Sequence, residues 1–79
     1  MIIRFVLVKC AASKVEAVAE RFVQWTESAE IYTLTGEFDL LVKFILGDHQ
    51  DSEQFVLSGL QKVDGVVSTM TLETRPWFM

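Results

Sequence analysis

Apolar residues fill most of positions 2–10, where Arg4 and Lys9 are the only charged residues. β-Branched and aromatic side chains dominate this segment, which is typical of a β-strand. Successive side chains of a strand point to opposite faces, so both faces of this strand are largely apolar. The two faces are Ile3, Phe5 and Leu7 on one side and Ile2, Arg4, Val6 and Val8 on the other.

A helix is predicted after the first strand. Ser13 followed by Glu16 has the spacing of a capping box, which marks the start of a helix. Apolar residues then recur at helical spacing up to about Trp25, as expected of one buried stripe on an amphipathic helix. This stripe consists of Val15, Val18, Ala19, Phe22 and Val23.

Two strands follow at 29–35 and 39–46. Gly36 lies in the short connection between them, where a turn often requires a positive φ angle. The close spacing of the two strands predicts a hairpin. The second of them is apolar on both faces except at Lys43.

The last third of the chain predicts a second helix and a fourth strand. The helix runs from about 51 to 62, with Phe55, Val56 and Leu60 in its apolar stripe. A turn at Asp64-Gly65 leads into a strand at 66–74. Its faces are Val66, Met70 and Leu72 on one side and Thr69, Thr71 and Glu73 on the other.

The element order β-α-β-β-α-β predicts an α+β fold of the ferredoxin-like kind, made by residues 1–79 as one domain. In this arrangement a four-stranded antiparallel sheet carries both helices on one face. The first and third strands are central, yet they are apolar on both faces. The uncovered face would expose a large apolar patch, which soluble monomers rarely do. We therefore expect a face-to-face homodimer.

Composition narrows the possible functions. The chain has 79 residues, of which 51% are hydrophobic, and this excludes a disordered chain. A net charge of −4 argues against direct binding to nucleic acid or to an anionic membrane. Cys10 is the single cysteine, so no internal disulfide can form, which favours a reducing cytoplasm. No apolar run reaches the length of a signal peptide core or a membrane span.

Residues for catalysis or metal binding are scarce. His49 is the single histidine, and nothing in the sequence pairs it with Cys10 as a base with a nucleophile. The carboxylates of Glu37 and Asp39 lie at a solvated turn. The four glycines are scattered, which excludes a glycine-rich phosphate loop. The sequence predicts no catalytic residue, no metal site and no cofactor.

Two segments resemble one known family. Residues 35–41 read Thr-Gly-Glu-Phe-Asp-Leu-Leu, and residues 60–71 read Leu-Gln-Lys-Val-Asp-Gly-Val-Val-Ser-Thr-Met-Thr. Together, in this order, they resemble the effector-binding domain of the Lrp/AsnC family, also called the RAM domain. The resemblance covers about residues 2–75.

The resemblance implies that the sheets pair into a dimeric α/β barrel, and that dimers assemble into rings, commonly octamers or decamers. It also implies that small effectors, typically amino acids, bind in clefts between dimers. A carboxylate such as that of Asp39 would receive the α-ammonium group, and N–H groups around Gly36 or a threonine hydroxyl would hold the α-carboxylate. The positions that match the family's site are Thr35, Gly36, Phe38, Asp39, Thr69 and Thr71.

Most family members begin with a helix-turn-helix DNA-binding domain, and this sequence starts at the first strand. It therefore resembles a stand-alone RAM protein, which we expect not to bind DNA itself. Two roles stay open for it: modulation of a full-length Lrp/AsnC regulator by co-assembly, or service as a small-molecule carrier or sensor. A purely structural role for Gly36 and Asp39, shaping the hairpin and sealing the oligomer, stays open. The tail at Trp77-Phe78 is expected at an interface.

Two other interpretations keep the same strand order. One is a small dimeric α/β-barrel enzyme of the monooxygenase or isomerase type, although no acid–base pair is apparent. The other is an ACT-type regulatory domain. Such domains usually carry a glycine where the first strand meets the first helix, and this chain has Ala11-Ala12-Ser13 there.

Overall fold

A four-stranded antiparallel sheet forms the framework of the protein in the computed structural model, which describes residues 2–25, 29–46, 57–75 and 77. Residues 51–56 of the predicted second helix, with Phe55 and Val56, lie outside the described residues, as do His49 and Phe78. The elements are β1 (Ile2–Cys10), α1 (Val15–Trp25), β2 (Ala29–Thr33), β3 (Leu40–Leu46), the helical segment α2 (57–60) and β4 (Val66–Leu72).

The strand order in the sheet is β2-β3-β1-β4, and every neighbouring pair is antiparallel. This is the order of the ferredoxin-like fold, so the predicted fold class is confirmed. β1 and β3 occupy the centre, as expected. β2 and β4 end two residues earlier than predicted, at Thr33 and Leu72. Within the described ranges, no helix is long and apolar enough to cross a membrane.

The helix-side face of the sheet carries the core. Val6 and Val8 of β1 and Phe44 of β3 are fully buried against Phe22 of α1 and Leu60 of α2. The alternation of a strand places every second residue on this face, which explains why Val6 and Val8 are buried together. The buried core consists of Val6, Val8, Cys10, Val18, Phe22, Leu40, Val42, Phe44 and Leu60.

Val23 does not join this core, although the helical spacing predicts it in the buried stripe. Its side chain is 60% exposed. At 3.6 residues per turn, Val23 lies about 80° around the helix from Val15, at the margin of the stripe. The prediction was therefore wrong for this residue.

Helix α1 begins at Val15, and the carbonyl of Lys14 accepts a hydrogen bond from the Val18 N–H at 2.9 Å. Lys14 therefore occupies the capping position that the sequence assigned to Ser13. Ser13 lies inside a turn that the Lys14 N–H closes by donating to the Ala11 carbonyl, also at 2.9 Å.

The opposite face of the sheet, which we call the open face, has no helix packed on it among the described residues. Directly paired residues of antiparallel strands share a face. One row across the sheet is therefore Tyr32, Leu41, Leu7 and Met70. Tyr32 is 50% exposed and Met70 is 49% exposed. The apolar residues of the open face are Ile3, Phe5, Leu7, Tyr32, Leu41, Ile45, Met70 and Leu72.

A register shift between Lys9 and Cys10 changes the start of β4. Lys9 pairs with Ser68, whereas Cys10 pairs with Val66, so β4 has one extra residue at this point. Val66 consequently packs against the helix-side core. The prediction that Val66 shares a face with Met70 was wrong, because a bulge interrupts strand alternation.

Candidate functional site

The connection between β2 and β3, residues 34–39, is fastened to the end of β1. We call it the 34–39 loop. The Leu34 N–H donates to the Asp39 carbonyl at 2.9 Å, which closes the loop. The Asp39 N–H donates to the Val8 carbonyl at 2.9 Å, and the Lys9 ammonium donates to the Glu37 carbonyl at 3.0 Å. The loop is thus held by both its backbone and a side chain of β1.

The side chain of Asp39 provides a further attachment to β1. Its Oδ2 accepts a hydrogen bond from the Cys10 N–H at 2.8 Å, in a partly buried position. A carboxylate that accepts from a backbone amide makes a charge-assisted bond, which is shorter and stronger than a neutral one. Asp39 therefore has a structural contact as well as the charge that suits a ligand's ammonium group.

The Cys10 thiol is buried and free. Its pKa is raised, first because burial disfavours the thiolate and second because the negative charge of Asp39 lies close to it. A thiol held protonated is a poor nucleophile. This environment does not suit Cys10 to covalent catalysis.

Gly36 lies at the exposed tip of the 34–39 loop with φ of 123°. No atom lies within 4 Å of the place where a Cβ would stand, so space is open on that side. Thr35 is also exposed, and Phe38 is half-buried at the base. The sequence predicted this turn glycine correctly, and the structure adds that the tip is accessible.

The two threonines assigned to the site lie apart from the loop. Thr69 pairs with Val8 and Thr71 pairs with Val6, so both lie on the helix-side face of the edge strand β4. β1 separates β4 from β3, and strands are spaced by about 4.8 Å, which puts β4 roughly 10 Å from β3. One chain therefore presents the six predicted residues as two separate groups, one in the loop and one on β4.

A groove of about 360 Å³ runs beside β4 and is lined by Gln61, Val66, Val67, Ser68 and Thr69. Of the six predicted residues, Thr69 alone lines it. Gln61 and Ser68 were not predicted as site residues, although both belong to the segment that carries the second family motif. The sequence feature that could have identified them is the position of their polar side chains in or beside a predicted edge strand.

Comparison with known proteins decides the family. The family profile described as "Lrp/AsnC ligand binding domain" matches residues 4–73. The chain belongs to the Lrp/AsnC family.

The relatives of this Lrp/AsnC domain are regulators by name. The HTH-type transcriptional regulator FL11 of Pyrococcus furiosus is 32% identical over 71 residues, which make up 90% of this chain and 46% of that protein. The chain spans about half the length of the curated relatives it matches.

Solved structures agree with the fold of the Lrp/AsnC domain. The crystal structure of TTHA0845 from Thermus thermophilus matches with a TM-score of 0.82 and 31% identity, covering 100% of both chains. The structure of AsnC from E. coli matches with a TM-score of 0.80 and 22% identity, covering 98% of this chain and 53% of that one. At that identity the likeness to AsnC shows the fold.

The glycine of the second Lrp/AsnC motif has a packing role. Gly65 adopts φ of 97°, and a Cβ there would stand 2.7 Å from Lys14 Cβ and 2.9 Å from Val18 Cγ2. Its carbonyl accepts from the Ala11 N–H at 2.8 Å. Gly65 therefore lets the start of β4 lie directly against α1. The sequence predicted a turn here but not this contact.

The described part of the Lrp/AsnC domain contains no group of three His, Cys, Asp or Glu side chains that could hold a metal ion. A second groove, of about 210 Å³, lies between α1 and the turn before β4 and is lined by Ala17, Arg21, Val63 and Asp64. Asp64 also forms an ion pair with Lys14 at 3.6 Å. The Asp64 side chain is 94% exposed, so this pair contributes little to stability.

Proposed function

We propose that this Lrp/AsnC domain binds an amino acid as its effector and thereby modulates a transcription regulator. The observation that supports this most directly is the 34–39 loop. It is fastened to β1 through Lys9 and Asp39, and it carries an accessible glycine at its tip and the Asp39 carboxylate at its base. A preorganised loop of this kind loses little conformational entropy when a ligand binds.

The proposed contacts follow from the chemistry of an amino acid. Asp39 Oδ1 would accept from the α-ammonium group while Oδ2 keeps its bond to Cys10. The exposed backbone around Gly36 and the Thr35 hydroxyl would donate to the α-carboxylate. Charge-assisted hydrogen bonds of these kinds are the strongest available to a small zwitterion.

Thr69 and Thr71 enter the proposal as residues of a neighbouring copy. Because β1 lies between β4 and the loop, one chain does not bring the threonines to the Gly36 tip. A cleft between neighbouring dimers would combine the loop of one copy with β4 of another. Phe38, half-buried below the tip, would support the loop from beneath.

The assembly is part of the same proposal. Two copies would bury their open faces against each other, which would remove Tyr32, Met70 and their apolar neighbours from water. Burial of apolar area contributes roughly 25 cal/mol per Å². We propose that the resulting dimers form rings of eight or ten copies, and that the exposed Trp77 lies at a contact between copies.

We place DNA binding and catalysis outside this domain. The chain carries a net charge of −4, which disfavours direct contact with the phosphate backbone. The partner that contacts DNA would be a full-length Lrp/AsnC regulator, such as those named among the relatives, with which this domain assembles in the cytoplasm. No enzymatic reaction is proposed.

Thermal-shift measurements against each of the twenty amino acids test the effector. We expect at least one to raise the midpoint of unfolding, because a ligand that binds only the folded state stabilises it by mass action. Asp39→Asn is the informative variant. The carboxamide oxygen can still accept from Cys10, so the fold should persist while the response to the ligand is lost. No response to any amino acid in the wild type, or an unchanged response in Asp39→Asn, would contradict the proposal.

A further inference from the structure

We propose that Glu30, Lys43 and Tyr32 form a polar cluster that selects the partner of the open face, admitting a second copy of this chain and rejecting a face with unbalanced charge. The inference rests on the face-to-face dimer proposed above. It adds the residues that decide which chains pair.

The cluster is defined by two contacts of Glu30, an ion pair with Lys43 and a long hydrogen bond from Tyr32. The Lys43 ammonium lies 3.2 Å from Glu30 Oε2, and the Tyr32 hydroxyl donates to Glu30 Oε1 at 3.4 Å. Glu30 and Lys43 are direct partners in the register of β2 and β3, so their side chains share the open face. Tyr32 follows two residues after Glu30 on the same strand, and therefore on the same face.

The surroundings of the cluster are apolar. Lys43 pairs with Phe5 on its other side, and Leu41 and Ile45 flank it along β3. Even in the isolated chain its side chain is only 30% exposed, against 49% for Glu30. Covering the open face with a second apolar surface would remove most of the remaining water from both charges.

Burial makes the two charges depend on each other. Two paired charges, with a further hydrogen bond from Tyr32, can be taken out of water at a moderate cost. A single charge without its partner is far more costly to bury, because no opposite charge compensates for its lost hydration. The ion pair thus contributes little to the stability of the monomer, where it is exposed. Once a second copy covers the face, the presence of both charges determines whether the dimer is stable.

The neutral pair also makes the face self-complementary. Two copies that meet through this region bring no net charge toward each other from the cluster. A related chain with one charge at these positions would bring an unpaired charge into an apolar interface. Specificity of this kind comes from penalising wrong partners as well as from contacts with the right one.

The test uses two single variants that leave opposite charges. Glu30→Gln leaves Lys43 unpaired, and Lys43→Gln leaves Glu30 unpaired. We expect each to raise the dimer dissociation constant at least about tenfold by sedimentation equilibrium, because each dimer would bury unpaired charges of one sign. Lys14→Gln is the matched control, since it breaks the ion pair with Asp64 away from the open face. It should leave the dissociation constant unchanged.

Mixing the two single variants gives the second readout. Their faces carry opposite charges, so the two variants should pair with each other. Random pairing in an equimolar mixture would make half of all dimers mixed, and native mass spectrometry should show a mixed fraction well above this. Single variants that dimerise as tightly as the wild type would contradict the proposal that this cluster selects the partner, while leaving the dimer itself in place. A mixed-dimer fraction no higher than random pairing gives would contradict it in the same way. A wild type that is monomeric at micromolar concentration would overturn both the dimer and the inference. Circular dichroism spectra matching the wild type would show that the variants are folded.

Discussion

Oδ2 of Asp39 accepts a hydrogen bond from the backbone N–H of Cys10 at 2.8 Å, joining two residues that are 29 positions apart in the chain. The bond fastens the start of β3 to the end of β1, at the base of the 34–39 loop. The residue that the sequence assigned to ligand binding therefore also stabilises the framework of the site.

This contact predicts different effects for two substitutions of Asp39. Asp39→Ala leaves the Cys10 N–H without its acceptor in a partly buried place, which should lower the free energy of unfolding by about 1–3 kcal/mol. Asp39→Asn keeps an acceptor oxygen, and we expect it to cost less than about 1 kcal/mol. Urea unfolding followed by circular dichroism measures both. Equal losses in the two variants would show that the hydrogen bond is not what the alanine removes.

Two glycines with positive φ form a matched pair for a second prediction. Gly65→Ala adds a Cβ 2.7 Å from Lys14 Cβ, in addition to backbone strain. We expect a loss of roughly 2–4 kcal/mol from strain and overpacking together. Gly36→Ala introduces strain without a clash, since nothing lies within 4 Å of its Cβ, and should cost about 1–2 kcal/mol.

Denaturant unfolding of the two alanine variants separates steric clash from strain. The difference between them estimates the cost of the clash with α1. If Gly36→Ala destabilised the protein as much as Gly65→Ala, the close approach of β4 to Lys14 and Val18 would not be the reason for glycine at position 65.

The raised pKa of Cys10 predicts how stability varies at alkaline pH. The ordinary pKa of a thiol is 9.0, and burial followed by the charge of Asp39 raises it in the folded state. Below about pH 9 both states hold the proton, so Cys10 causes no pH dependence. Above that pH the unfolded thiol ionises while the folded one stays protonated. The unfolded state then binds fewer protons, and stability falls as the pH rises.

Comparison with Cys10→Ala isolates this effect from other groups that titrate in the same range. We expect the wild type to lose more stability than the variant between pH 9 and the raised pKa of the folded thiol. The measurement is the free energy of unfolding in urea at several pH values. Parallel profiles for the two proteins would mean that the thiol ionises equally readily in both states.

The open face predicts that one charge there should disrupt the dimer. Met70→Asp places a carboxylate on the open face, within the proposed interface, where burial without a partner is unfavourable. We expect light scattering after size exclusion to report a monomer at micromolar concentration. Val23→Asp is the control, because Val23 is 60% exposed on α1, away from the open face. A dimer that survives Met70→Asp, or that Val23→Asp also breaks, would place the interface elsewhere.

Much of the fold could be predicted from local patterns. The shared strand face of Val6 and Val8, the helix ending near Trp25 and the turn at Gly36 each depend on residues close together in the chain. Periods of two and 3.6 residues determine which side chains share a face. The family motifs, which are also contiguous segments of the chain, locate the 34–39 loop in the same way.

Long-range pairing decided the remaining features. The register shift opposite Cys10 turned Val66 toward the core, and β1 kept Thr69 apart from the loop. Nothing in the local sequence specifies which distant strand residue a side chain will meet.

The sequence by itself determined the elements, the two-faced central strands and the family of this protein, because hydrophobic periodicity and motifs are local properties of the chain. Only the tertiary structure decided that Asp39 bonds Cys10, that Gly65 lies against Lys14, and that the candidate ligand residues form two groups. Each of these depends on how strands and helix pack, which brings together residues from separate parts of the chain.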